Sequence, residues 1–211
     1  MAITTYATLK STLTDWIDRG TDLDSKRDDF IDFAEAYFNR TLRCYQMEET
    51  TTLTTDSNGE AALPTGFLAF RSVRYSSSPS IELKPISHGG ANVLSPYGTS
   101  DTPRWYSISA GTTADTTRIR VTPPKASASL IVRFFEKIPA LSDSTTTNWL
   151  LSLAPDIYFY RCLGEAWAFM RDFEKAAAYY AQAKGLCEEL QLLDDRSRYL
   201  NAEFAYDGVV D

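Results

Sequence analysis

The chain has 211 residues, 44% hydrophobic and 23% charged, and its 21 Lys and Arg against 28 Asp and Glu leave a formal charge of −7. A chain this long can bury roughly 70% of the surface it exposes when unfolded, so it can hold a core without disulfide or metal staples, and its apolar content excludes wholesale disorder. The acidic balance excludes a tight phosphate-gripping role for the parts that carry it, because such affinity comes from a basic face.

In chain order, Tyr6, Leu9, Leu13, Trp16 and Ile17 recur at helical steps and predict an amphipathic helix from Thr5 to about Gly20. A second helix is predicted from Ser25, with Phe30, Ile31, Ala34, Tyr37, Phe38 and Leu42 on one face and Asp28, Asp29, Asp32, Glu35 and Arg40 on the rest. The pair reads as a helical hairpin over residues 1–49. From Thr50 the texture turns to threonine-rich alternation punctuated by Gly, Ser and Pro. It predicts strands at Thr50–Thr55, Phe67–Tyr75, Ile81–Ile86, Trp105–Ser109, Arg118–Thr122 and Leu130–Glu136, with a turn at Asp56-Ser57-Asn58-Gly59. Residues 50–153 therefore read as a β-rich insert, with a long Gly/Ser/Pro loop at Ser87–Pro103.

Helical periodicity returns at Pro155, a favoured first helical residue, and runs through Ile157, Tyr160, Cys162, Leu163, Ala166, Trp167 and Met170. Asp172 is placed to cap a further, alanine-rich helix continuing through Leu186, Leu190 and Leu193. Residues 154–195 form a second hairpin, and 196–211 read as an extended arm. The expected fold is α+β: a helical bundle made by both ends of the chain, an inserted antiparallel sheet or sandwich, and a C-terminal arm. Charge is unevenly spread over these parts. Residues 1–49 hold six basic and ten acidic groups, 50–153 nine and seven, and 188–211 two and seven.

The start of the chain has no basic segment leading into an apolar run, and no stretch approaches the ~20 apolar residues of a membrane span, so folding in the host cytoplasm without a membrane is expected. Cys44, Cys162 and Cys187 are odd in number and far apart, which suits buried free thiols. Chemistry has few footholds. His88, the sole histidine, lies in a Gly-rich loop without a nucleophile-elbow motif, and phosphate-loop, dinucleotide and metalloprotease motifs are absent from the sequence. Asp28-Asp29 and Asp194-Asp195 lack calcium-loop spacing and read as solvated helix surface. No enzyme, cofactor or metal is expected.

Ile138-Pro139-Ala140-Leu141-Ser142-Asp143, Thr147-Asn148-Trp149-Leu150-Leu151 and Ala154-Pro155-Asp156-Ile157-Tyr158 together resemble a signature of head-tail adaptor (connector) proteins of tailed phages. Asp29 to Ala36 with Asn39-Arg40-x-Leu42-Arg43 is similar to that family's second helix, and Leu63-Pro64-x-Gly66-Phe67-Leu68 to the start of its β-insert. The likeness is to the adaptors of short-tailed phages, of the tail tubular protein A or gatekeeper kind. It implies a virion protein that forms a homo-oligomeric ring, a dodecamer, beneath the portal protein. The ring would stand above a downstream tail or nozzle protein and prolong a channel through which DNA passes without specific binding. It also implies that the C-terminal arm touches the portal or neighbouring subunits. Expected interface residues are Trp149, Leu150, Tyr199, Phe204 and Tyr206, with Trp149 as a buried anchor. The alternative is a helical scaffold protein outside the virion, suggested by the repeat-like Phe173–Ala183 stretch, for which no second copy occurs.

Overall fold

The computed structural model describes residues 2–18, 22–94, 102–110 and 117–199. It divides into a helical unit, Met1–Gln46 with Ile138–Asp211, and a β unit, Met47–Lys137. The class is α+β. Residues 138–153, grouped with the insert by their loop-like composition, fall in the helical unit. The reason is local: the last strand ends at Glu136, and the backbone beyond it finds its hydrogen-bond partners on helices.

In the helical unit, α1 (Tyr6–Ile17) starts at a capping box in which the Thr8 N–H donates to Thr5 Oγ1 while the Thr5 N–H donates to Thr8 Oγ1. It buries Tyr6, Leu9, Leu13 and Ile17, but Trp16, at the margin of the stripe, is 56% exposed and lays only an edge against Phe159. A single turn of 3₁₀ helix at Asp24–Lys26 leads into α2 (Arg27–Thr41), which buries Phe30, Ile31, Ala34, Phe38 and the carboxylate Glu35. Asp28 and Asp29 occupy its first turn, where the helix dipole favours negative charge.

Two helices follow Asn148: the short α4 (Trp149–Leu153) and α5 (Pro155–Phe169), with Pro155 at its first turn. The buried residues of α5 include Ile157, Tyr158, Phe159, Cys162, Leu163 and Ala166, and it packs against α1, α2, α4 and α6, so it is the unit's axis. A tight turn with Arg171 at φ +63° reverses the chain into α6 (Phe173–Tyr199), whose start Asp172 caps by accepting the Lys175 N–H. Helix α6 contributes Ala176, Ala183, Cys187 and Asp194 to one narrow buried seam, and it persists through Tyr199, past residue 196 where an arm was expected. Residues 200–211 lie outside the described part. A Cβ at Gly164 would sit 2.5 Å from the Tyr180 ring, so this glycine lets α6 approach α5.

The β unit packs two four-stranded sheets face to face. One has the order β1 (Glu48–Thr54), β8 (Ser129–Glu136), β3 (Phe67–Tyr75), β4 (Ile81–Glu82), all antiparallel. The other runs β2 (Glu60–Ala62), β7 (Thr117–Thr122), β6 (Trp105–Ala110), β5 (Lys84–Pro85), and its β5–β6 pair is parallel. Inward residues Val73, Leu130, Val132 and Phe134 of the first sheet meet Ala61, Tyr106, Ile119 and Val121 of the second, which is why Ile119 and Val121 alternate with Arg118 and Arg120. The Asp56–Gly59 turn carries the chain from one sheet to the other. Gly59 has φ +73°, and a Cβ there would lie 2.9 Å from Pro124 Cα, so only glycine fits. Strand β2 escaped sequence reading because Glu-Ala-Ala has little β propensity. Part of the expected Ser87–Pro103 loop is helical, α3 (His88–Leu94), and its residues 95–101 lie outside the described part.

Candidate functional site

Two of the segments carrying the family likeness, 29–43 and 138–158, meet in one polar cluster inside the helical unit. Glu35, buried on α2, accepts the Leu141 N–H at 2.8 Å and the Tyr158 O–H at 3.2 Å, both on Oε1. Asn148 donates from Nδ2 to the Tyr158 hydroxyl and to the Pro139 carbonyl, each at 2.8 Å, while its Oδ1 caps α4 by accepting the Leu151 N–H. Asn39, one turn beyond Glu35, accepts the Ile138 N–H. The Tyr6 N–H reaches the Thr146 carbonyl at 2.7 Å. Segment 138–148 has no regular structure, so α1 and α2 supply partners its backbone would otherwise lack, while Tyr158 of α5 holds Asn148 and Glu35 in place.

Burial sets the chemistry here. Desolvation lifts the Glu35 carboxyl from 4.5 to about 7, against the lowering effect of the bonds from Leu141 and Tyr158. The same burial, with Glu35 nearby, raises the Tyr158 hydroxyl far above its ordinary value. A raised carboxylate beside a tyrosine could signal acid–base catalysis. At this position, though, Glu35 Oε1 and the Asn148 amide bond backbone groups of Pro139, Leu141 and Leu151, the Tyr158 hydroxyl bonds both of those side chains, and Glu35 is only 5% exposed. The cluster ties segment 138–148 to the helices.

A second constellation fastens α5 to its neighbours. The Arg161 guanidinium lies over the rings of Tyr37 and Tyr180 at 4.0 and 4.2 Å and pairs with Glu165 at 2.6 Å, while the Tyr180 hydroxyl donates to the other Glu165 oxygen. Near the far end of α6, buried Asp194 accepts the Tyr45 N–H and pairs with Arg198 at 2.8 Å. Cys44, Cys162 and Cys187 are buried free thiols, and burial pushes Cys44 up to about 11 and Cys187 up to about 12. They are inert nucleophiles at neutral pH.

Of the residues expected at an interface, Leu150 is fully buried in its own unit and Trp149 is partly buried. The buried anchor of this turn is thus Leu150 with Leu151, because the Asn148 cap points both of them inward. The Tyr199 side chain, Phe204 and Tyr206 lie outside the described residues. Sequence reading missed a different set of apolar groups. Trp16, Phe33, Leu153, Phe169, Phe173, Leu192 and Leu193 are at least half exposed, and Leu153 and Leu193 border an open groove of about 270 Å³ with Leu186 and Leu190. The signal available was the adjacent pair Leu192-Leu193, which one narrow helix stripe cannot bury together. His88 is an exposed residue at the start of α3. Among the described residues, no three His, Cys, Asp or Glu groups are placed to hold a metal, and no helix is long and apolar enough to cross a membrane.

Compared with known families, the chain matches the model of the SU10 adaptor protein over residues 4–203. It belongs to the SU10 adaptor protein family. The match spans both units, so the helical segments and the sandwich between them in sequence are features of a phage adaptor and not a fusion of unrelated parts. The likeness drawn from 29–43, 63–68 and 138–158 is thereby confirmed at the level of a phage adaptor. As an SU10-family protein the chain is a structural component, and the polar cluster around Glu35 and Asn148 lies within its helical unit. Among curated proteins, none matches the chain.

Proposed function

We propose that this adaptor is a virion head-tail protein that assembles as a ring, a dodecamer, beneath the portal protein and prolongs the channel through which DNA leaves. The family match over nearly the whole chain carries this reading. Its surfaces support it. The helical unit exposes large apolar side chains on α1, α2, α5 and α6, more than an isolated protein needs, and such groups serve subunit and partner contacts. Trp149, Tyr199, Phe204 and Tyr206 would add to those contacts, with Leu150 supporting Trp149 from beneath. The portal lies on one side of the ring and a tail or nozzle protein on the other. The excess acid over residues 1–49 and 188–211 suits a conduit that DNA passes without sticking.

Phage particles made without this protein test the reading. They are expected to be filled heads lacking tails, which gain tails and infectivity when the purified protein and tails are added back. Tailed, infectious particles formed in its absence would refute it.

A further inference from the structure

Two apolar features of the α5–α6 hairpin face solvent, one at each end. At the turn, Phe169 closes α5 and Phe173 opens α6, 54% and 67% exposed, with Arg171 exposed between them. The left-handed backbone at Arg171 makes this corner tight. The 15 residues of α5, ~22 Å at 1.5 Å each, separate it from the open groove of about 270 Å³. There Leu186, Leu190 and Leu193 recur along α6 at helical steps beside Leu153, and the carboxylates Asp156 and Glu189 share the lining. Water-facing leucines and phenylalanines in such groupings mark contact surfaces.

Charge matches the two. The groove lining holds two carboxylates and no basic group, the corner offers Arg171, and among the described residues none of the three has an ion-pair partner. Of the acids at the corner, Asp172 is already paired with Lys175 at 3.0 Å, and Glu174 stands ~100° round the helix from Phe173. We infer that the Phe169–Phe173 corner of one copy seats in the Leu153–Leu193 groove of a second copy, with Phe173 among the leucines and Arg171 against Asp156 and Glu189. Corner and groove are different surfaces of each copy, so the contact is head-to-tail, the kind that closes into a ring. The inference rests on the ring reading above and adds the two faces that join neighbours. A helix of the portal or tail protein is the competing occupant of the groove, whereas a second copy covers both apolar features at once.

The experiment uses the full chain in three single variants, Phe173→Asp, Arg171→Glu and Glu189→Arg, and in the combined form Arg171→Glu/Glu189→Arg. Sedimentation follows assembly, alone and with portal. All three positions are exposed, and thermal melting checks that each variant folds. Each single variant is expected to need at least about tenfold more protein to assemble, because an apolar anchor is lost or like charges meet. The combined form, in which corner and groove carry opposite charges again, should recover most of that loss. Single variants that assemble as wild type does, or a combined form as impaired as its two changes added together, would overturn the contact. So would a Glu189→Arg form that makes rings but no longer binds portal, which would make the groove a portal site. In that event the adaptor reading would stand. Wild-type protein that never assembles, even with portal, would count against both.

Discussion

Two side chains decide how the helical unit holds its irregular segment. Asn148 uses one amide to cap α4 and to tie Pro139 and Tyr158, so Asn148→Ala removes three hydrogen bonds, two of them buried, and leaves the Leu151 N–H at the start of α4 without its cap. We expect a loss of about 2–4 kcal/mol in chemical denaturation, at the upper end of single polar deletions. Glu35 gives a pH signature. Its folded pKa, about 7, lies above its ordinary 4.5, so between these values the folded form keeps a proton that the unfolded chain has lost. Its contribution to stability is therefore full below pH 4.5 and falls as pH rises toward 7, by at most about 1.4 kcal/mol per pH unit. Glu35→Gln keeps an oxygen for Leu141 and Tyr158 but cannot ionise. Urea midpoints compared at pH 5 and pH 7 should drop in the wild type and drop less in the variant.

Helix by helix, legibility followed how far neighbours dictated each residue's role. The α2 stripe from Phe30 to Phe38 and the Pro155 start of α5 could be read because period and propensity agreed with burial. Trp16 misled because helical spacing gives a stripe but not its width, and this flanking position, set against the Phe159 ring, is 56% exposed. Glu35 was assigned to the polar face because nothing in its own helix shows that Leu141, over a hundred positions away, needs an acceptor. Strand β3 was placed to the residue, whereas β2 and α3 were missed: short elements made of Glu-Ala-Ala or His-Gly-Gly are set by pairing and capping, not by propensity. The α5–α6 contact gives a test at this scale. Gly164→Ala would push a methyl into the Tyr180 ring and displace it from Arg161 and Glu165. We expect it to lower stability by about 1–3 kcal/mol, an overpacking penalty read as a fall in melting temperature, with Gly164→Leu failing to fold.

At the scale of the whole molecule, the adaptor reading looks to the surface. Among the described residues, buried Glu35, Asn148 and Asp194 are bonded within the fold, while leucines and aromatics on the helices and Arg74 and Arg133 on a sheet are exposed. The interface could not be read from sequence alone, because partner contacts follow no single-chain period. Trp149 and Leu150 are adjacent in sequence, yet one is partly exposed and the other wholly buried. Replacing Leu153 and Leu193 by Ser should leave the melting temperature within about 1 kcal/mol equivalent, since both are half exposed, while weakening association in sedimentation if that groove is a contact. The most direct test of the adaptor account is particle imaging of the purified protein mixed with the portal of the same phage. The account predicts a ring of this protein seated coaxially on the portal, with density for both units in every copy. Portal rings left bare while the folded protein stays monomeric would contradict it.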